Sequence, residues 1–341
     1  MHVLLILVSS LIAYSSSLNL SYVIPNGDRW LVNSYLDSDG PKWIEKSLVE
    51  SELVKFKNIT DDVMKYFLYT ETNPTVAHRL IKGDSASLHQ SKFNASIPTR
   101  VMVHGYMASY KSEVCTLVRD AYLKKEPCNF ICIDWSKVSH NSLVTVRVLV
   151  PSLGLDLGEF INFLFKASGM SKENFILIAH SYGTHIAGFA GKYLKRVKNP
   201  LRLIVALDPA HALFSYEDCS SRMCKTDADF VESIQTTAGT IGFRRPIGDS
   251  TFYPNGGANQ PACSSESGNL CSHLMAYRYF AEAVEYDDFP TNECSTYRRA
   301  LAKNCEKVCS GVRMGSVESF RTKGVFYVSV NSKPPFGKGV K

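Results

Sequence analysis

From residue 99 onward, the hydrophobic residues of this chain fall into short runs separated by longer periodic stretches. Four runs stand out: 100–104 (RVMVH), 130–135 (FICIDW), 175–179 (FILIA) and 203–207 (LIVAL). They are rich in β-branched or large apolar residues and short enough to be buried strands. A further strand is predicted over 325–330. Between the runs the period changes. Leu155, Gly158, Ile161, Leu164 and Phe165 share one face of a helix that stops before Gly169. Ile186, Phe189, Ala190, Tyr193 and Leu194 share one face of a second, closed by Lys195, Arg196 and Lys198, which offset the helix dipole. Leu274, Tyr277, Phe280 and Ala281 mark a third. Strands alternating with helices predict an α/β fold with a mostly parallel central sheet covered on both faces. Catalytic groups then gather beyond the carboxyl ends of the strands. Residues 18–98 hold turn clusters at 25–28 (PNGD) and 37–40 (DSDG) with no clear period, and the chain shows no internal repeat or heptad run.

The first 17 residues read differently. An apolar core from Val3 to Tyr14 is followed by small residues suited to cleavage, too short for a bilayer span of about 20 residues. Residues 1–17 are therefore expected to be a signal peptide, leaving 18–341 as one domain of secreted, extracellular protein. Ten cysteines then read as disulfides. N-x-Ser/Thr tripeptides at Asn58 and Asn94 are candidate glycosylation sites, while a third, at Asn19, lies close to the expected new N-terminus. The net charge of +6 reads first as a solvated surface, with attraction to anionic lipid as the functional alternative. No C-x-x-C pair and no HExxH is present, so neither a metal nor another cofactor is expected. Nothing points to a nucleic-acid partner.

The chemistry centres on Ala179-His180-Ser181-Tyr182-Gly183, which joins the run 175–179 directly to the second helix. A sharp strand-to-helix turn lifts a serine hydroxyl out of the sheet, as a nucleophile elbow requires, and aims the following amide at a developing oxyanion. Ala179 stands where the G-x-S-x-G pattern has glycine, a change of one methyl. A serine needs a base, and the base needs an acid to orient it. Asp208 ends the run 203–207, and Pro209 disfavours continuing that strand. His273 follows Cys271-Ser272 and precedes the third helix, so it is expected in a loop reaching over the serine. Asp218, Asp227 and Asp229 compete with Asp208, but none ends an apolar strand. His180 and His185 read as packing residues, His104 as a hydrogen-bonded core or turn residue, and His211 as a surface residue.

Six blocks, VHGY (103–106), CIDW (132–135), IAHSYGTHIAGFAGKYL (178–194), ALDPA (206–210), FYPNGG (252–257) and CSH (271–273), resemble the pancreatic-lipase family in order and spacing. The resemblance covers roughly residues 95–340 and is nearest to the insect and wasp- or ant-venom phospholipase A1 branch. It implies the α/β-hydrolase fold, a Ser181–Asp208–His273 triad, and an oxyanion hole from the backbone N–H groups of Tyr106 and Tyr182. It also implies a lid closed by Cys263 and Cys271, with only seven residues between them. A lid that short leaves an acyl groove open, and its more polar rim suits a phospholipid better than a triglyceride. The expected reaction is hydrolysis of the sn-1 ester at a phospholipid membrane or micelle surface, by a monomer. Neither the family's C-terminal β-sandwich nor a colipase-like partner is expected. Alternatives are a triglyceride or galactolipid lipase, and a catalytically silent lipase-like binding protein. Among the other cysteines, Cys219–Cys224 and Cys294–Cys305 are the expected local pairs and Cys115–Cys128 a further one. Cys132 and Cys309 stay unassigned, because four cysteines allow three pairings.

Overall fold

The computed structural model describes residues 20–26, 29–34, 42–45, 63–263, 268–316 and 320–339. The expected signal peptide and Asn58 lie outside the described residues.

Two sheets are present among these residues. Strands β1 (Leu20–Asn26), β2 (Arg29–Ser34) and β3 (Lys42–Glu45) form an antiparallel three-stranded sheet. The second sheet has ten strands: β4 (Lys65–Tyr69), β5 (His78–Leu80), β6 (Thr99–Val103), β7 (Asn129–Asp134), β8 (Phe175–His180), β9 (Leu203–Leu207), β10 (Phe230–Ile234), β11 (Ser250–Pro254), β12 (Thr291–Cys294) and β13 (Gly324–Val328). Their order is β12-β13-β11-β10-β9-β8-β6-β7-β4-β5. All pairs from β13 to β7 are parallel, and only the outer pairs, β12–β13, β7–β4 and β4–β5, are antiparallel. This is the expected α/β architecture. Register aligns the carboxyl ends of the central strands, with Val103 opposite Ala179, His180 opposite Leu207 and Leu207 opposite Ile234. His104, Ser181, Asp208 and Gln235 therefore emerge along one edge.

Alternation along the strands divides the core in two. Val101, Val103, Ile131, Ile133, Leu177, Ala179 and Ile204 face one side, where α2 (Leu143–Ser168) and α3 (Gly183–Arg196) cover them. Met102, Phe130, Cys132, Ile176, Ile178, Val205 and Leu207 face the other, covered by α1 (Glu113–Lys125) and α4 (Gly268–Tyr286). The α2–α3 contact is close because Gly154 has no side chain: a Cβ there would sit 2.2 Å from that of Phe189. Helix α2 starts where Ser142 Oγ accepts the Thr145 N–H (3.2 Å) and ends at Gly169, which adopts a left-handed φ of 67°. By length and composition α2 is apolar enough to cross a membrane, but 61% of its most apolar window is buried inside the molecule. It is the core helix of this fold.

Three expectations change. Helix α4 begins at Gly268, so His273 lies on a helix and not in a loop. Cys115 pairs with Cys132 (Cα–Cα 6.2 Å), not with Cys128. The reason is the direction of α1: Cys128, Phe130 and Cys132 all face it, but α1 runs from the carboxyl end of β6 back to the amino end of β7, so Cys115 in its first turn lies beside Cys132 and far from Cys128. Cys128 precedes β7 as a buried free thiol, and burial pushes its pKa up to about 12. Cys309 is free and exposed. His211 is half-buried, its ring edge-on to Phe243 at 5.0 Å, and not on the open surface. The pairs Cys219–Cys224, Cys263–Cys271 and Cys294–Cys305 form as expected.

Candidate active site

Ser181 occupies the turn between β8 and α3 with φ 57°, a conformation that costs a non-glycine residue about 1–2 kcal/mol. The surrounding bonds hold it there. Its N–H donates to Leu207 O (3.0 Å), and its carbonyl accepts from the Thr184 N–H (3.1 Å) and hydroxyl (2.7 Å). Gly183 makes the turn possible, since a Cβ there would lie 2.4 Å from His104 O. Ala179, at the first position of the motif, is fully buried in the sheet. Ser181 itself is 5% exposed.

Asp208, one residue beyond β9, is fully buried and also has a positive φ, 45°. Its carboxylate is saturated. Oδ1 accepts the Thr236 and Thr237 N–H groups (2.8 and 3.1 Å), and Oδ2 accepts the Thr237 hydroxyl and His273 Nδ1. The Asp208–His273 contact is 2.6 Å, so Nδ1 carries the proton and Nε2 is left as the basic nitrogen. Nε2 meets no protein partner among the described residues.

His273 is fixed from behind as well. Next to Cys271 of the Cys263–Cys271 disulfide, Ser272 Oγ accepts the Gln260 N–H (3.0 Å). The ring of His180 lies 4.5 Å from that of His273 between centroids, and His180 Nε2 donates to His273 O (3.2 Å). Burial, reinforced by the neighbouring His273, holds the His180 pKa well below the usual histidine value, so this donor stays neutral. His180 is thus more than a packing residue. His185 is one: its ring is buried and neutral, with Nε2 bonded to Ala210 O (2.8 Å) and Nδ1 to the Met223 N–H (3.1 Å).

The structure therefore bonds Asp208 directly to His273. Ser181 reaches this pair through its backbone bond to Leu207 and through the ring of the preceding His180. No hydrogen bond joins the Ser181 hydroxyl to His273, a looseness common before substrate closes such a site.

The turn after β6 crosses the serine. A Cβ on Gly105 would lie 2.8 Å from Ser181 Cβ, so this close approach requires glycine. The next amide along this turn is that of Tyr106. Neither the Tyr106 N–H nor the Tyr182 N–H meets an acceptor among the described residues. Unpaired backbone N–H groups of this kind are free to donate to a negatively charged oxygen. Two apolar side chains are left in the open next to these groups: Met107 (48% exposed) after Tyr106, and Leu270 (53%) one turn before His273.

A family model described as Lipase matches residues 31–336. The chain belongs to the lipase family. Within it, the chain is 34% identical over 266 residues to "Probable phospholipase A1 magnifin" of Vespa magnifica, covering 72% of this chain and 77% of that protein. It is 33% identical to "Phospholipase A1" of Vespa velutina (70% and 83% covered). It is also 29% identical to "Pancreatic triacylglycerol lipase" of Mus musculus, covering 80% of this chain and 65% of the mouse protein. The four disulfides among the described residues fit an extracellular lipase.

Sequence reasoning missed Thr236, Thr237 and Gly242, which form the wall around Asp208. A Cβ on Gly242 would lie 2.5 Å from Asp208 Oδ1. All three come from segments nearly thirty residues or more from Asp208, and no periodicity announces them.

Proposed function

We infer that this lipase is a secreted phospholipase A1, hydrolysing the sn-1 ester of glycerophospholipids. The observation that carries the catalytic reading is the buried Asp208–His273 pair set against the strained Ser181 turn. Ser181 Oγ attacks the ester carbonyl while His273 Nε2 takes its proton, and Asp208 stabilises the imidazolium. The tetrahedral oxygen anion is held by the N–H groups of Tyr106 and Tyr182. Collapse expels the 2-acyl lysophospholipid, whose alkoxide takes the proton from His273. Water, deprotonated by His273, then cleaves the acyl-serine and releases the fatty acid. The residues complete this cycle by themselves.

Phospholipid is favoured over triglyceride by the shortness of the Cys263–Cys271 segment, with seven residues between the cysteines, and by the wasp phospholipase relatives. Exposed Met107 and Leu270 offer an apolar contact to a membrane or micelle surface, worth about 1.5–3 kcal/mol for each side chain fully buried in lipid. We further place the protein outside the cell as a monomer without a colipase-like partner, with exposed Asn94 as a glycan acceptor. The mouse relative favours a second reading, triacylglycerol hydrolysis.

One assay separates these readings. Phosphatidylcholine labelled at sn-1 should release labelled fatty acid, and the sn-2 label should stay on the lysophospholipid. Release mainly from sn-2, or faster turnover of a triolein emulsion, sinks the phospholipase A1 assignment.

A further inference from the structure

His104 directly follows β6 and is completely buried, yet nothing in the proton-transfer chemistry above uses it. Its two ring nitrogens are both engaged. The Trp135 N–H lies 3.1 Å from Nε2, and an amide can only donate, so Nε2 accepts. The proton is then on Nδ1, which donates to Gly105 O at 2.9 Å. The ring is held flat against the Trp135 indole (centroids 5.1 Å, 7° between planes), and the indole N–H donates back to His104 O (2.9 Å). Asp134 Oδ1, 3.4 Å from Nε2, is itself taken up by the N–H groups of Ser136 and Tyr110.

Gly105 O belongs to the same peptide unit as the Tyr106 N–H. The described residues contain one cis peptide, Pro334–Pro335, so this unit is trans, with its C=O and N–H pointing in opposite directions. Clamping the carbonyl on one side therefore aims the N–H on the other. Glycine at 105 leaves that peptide no side chain to lock it in place, so the clamp has to come from outside. We propose that His104, as the neutral Nδ1–H tautomer, is a positioning residue that holds the Gly105–Tyr106 peptide with the Tyr106 N–H directed at the oxyanion. The role rests on the reading of Tyr106 as an oxyanion donor.

Two substitutions divide the ring's functions. In His104→Asn the amide nitrogen falls near the Nδ1 position, keeping the donor to Gly105 O and losing the acceptor for Trp135. In His104→Gln the amide reaches the Nε2 position, keeping that acceptor and losing the donor. On phosphatidylcholine micelles, His104→Gln should lower kcat roughly 10- to 100-fold with KM changed by less than about twofold. His104→Asn should keep kcat within about threefold of wild type, because an oriented donor is retained. Equal kcat losses in the two variants, in step with their losses of Tm, would overturn the role. So would a KM effect alone in His104→Gln. If His104→Gln does not fold, nitrogen-15 NMR of the wild-type histidines decides: a bare Nε2 is expected, and an Nε2–H tautomer overturns the proposal. Wild-type protein that does not react with a fluorophosphonate at Ser181 would indict the site reading itself. Labelled wild type with indistinguishable Asn and Gln variants would indict only His104.

Discussion

Asp208 accepts four hydrogen bonds in a fully buried position, so removing its charge alone should leave the fold standing and spoil the chemistry. Asp208→Asn keeps the shape but presents an amide to His273, favouring the wrong tautomer. We expect kcat to fall by about 10⁴ with little change in Tm, measured by ester turnover and thermal unfolding. A fall of less than tenfold, roughly the size of an ordinary hydrogen-bond loss, would remove Asp208 from the mechanism. His180 and His185 predict a pH dependence of stability. Burial lowers the pKa of each in the folded protein, while the unfolded chain takes up protons near the usual 6.5. The unfolded state then binds more protons below that pH, so stability is lost as pH falls through about 6.5. Tm measured from pH 7.5 to 5 should decline for wild type and decline less steeply for His185→Gln. Parallel profiles would contradict the neutral burial of His185. Ser181 and Asp208 were legible at this scale because each directly follows an apolar strand. Thr236, Thr237 and the contact of His180 with His273 were not, because they depend on how distant segments meet.

Elements show the same division. Strands β6 to β9 lie within one residue of the predicted runs at every boundary, because a strand buried on both faces needs an unbroken apolar run. Helices α2 and α3 follow the predicted faces, with α2 extending twelve residues ahead of Leu155, which is itself exposed. Strands β4 and β5 lie at the sheet margin, where short antiparallel segments leave little periodic signal. Pairing of Cys115 with Cys132 needed the direction in which α1 lies along β7, which is tertiary information. The α2–α3 contact yields a prediction. Gly154→Val places carbon against Phe189 and should destabilise the protein by about 1–3 kcal/mol in urea unfolding. Leu155→Gln, one residue away on the exposed side, should stay within about 0.5 kcal/mol. Equal effects at both positions would mean the helices are not in close contact there.

At the scale of the molecule, the sheet brings three separate parts of the chain to one edge, while the disulfides tie neighbouring segments such as α1 to β7 and residue 263 to the first turn of α4. Peptide mapping of the unreduced protein should join Cys115 to Cys132, with Cys309 alkylated in the native state and Cys128 only after unfolding. A Cys115–Cys128 link would contradict the direction in which α1 lies along β7. The loop after β6, Ser181 after β8, Asp208 after β9 and His273 on α4 converge only if all these elements dock. The account therefore stands or falls on whether Ser181 is an activated nucleophile. Its most direct test is reaction of the native protein with a fluorophosphonate, followed by mass spectrometry of the labelled peptide. The account predicts one adduct, on Ser181, absent in Ser181→Ala and strongly slowed in His273→Ala. No adduct, or one that persists in Ser181→Ala, would contradict it.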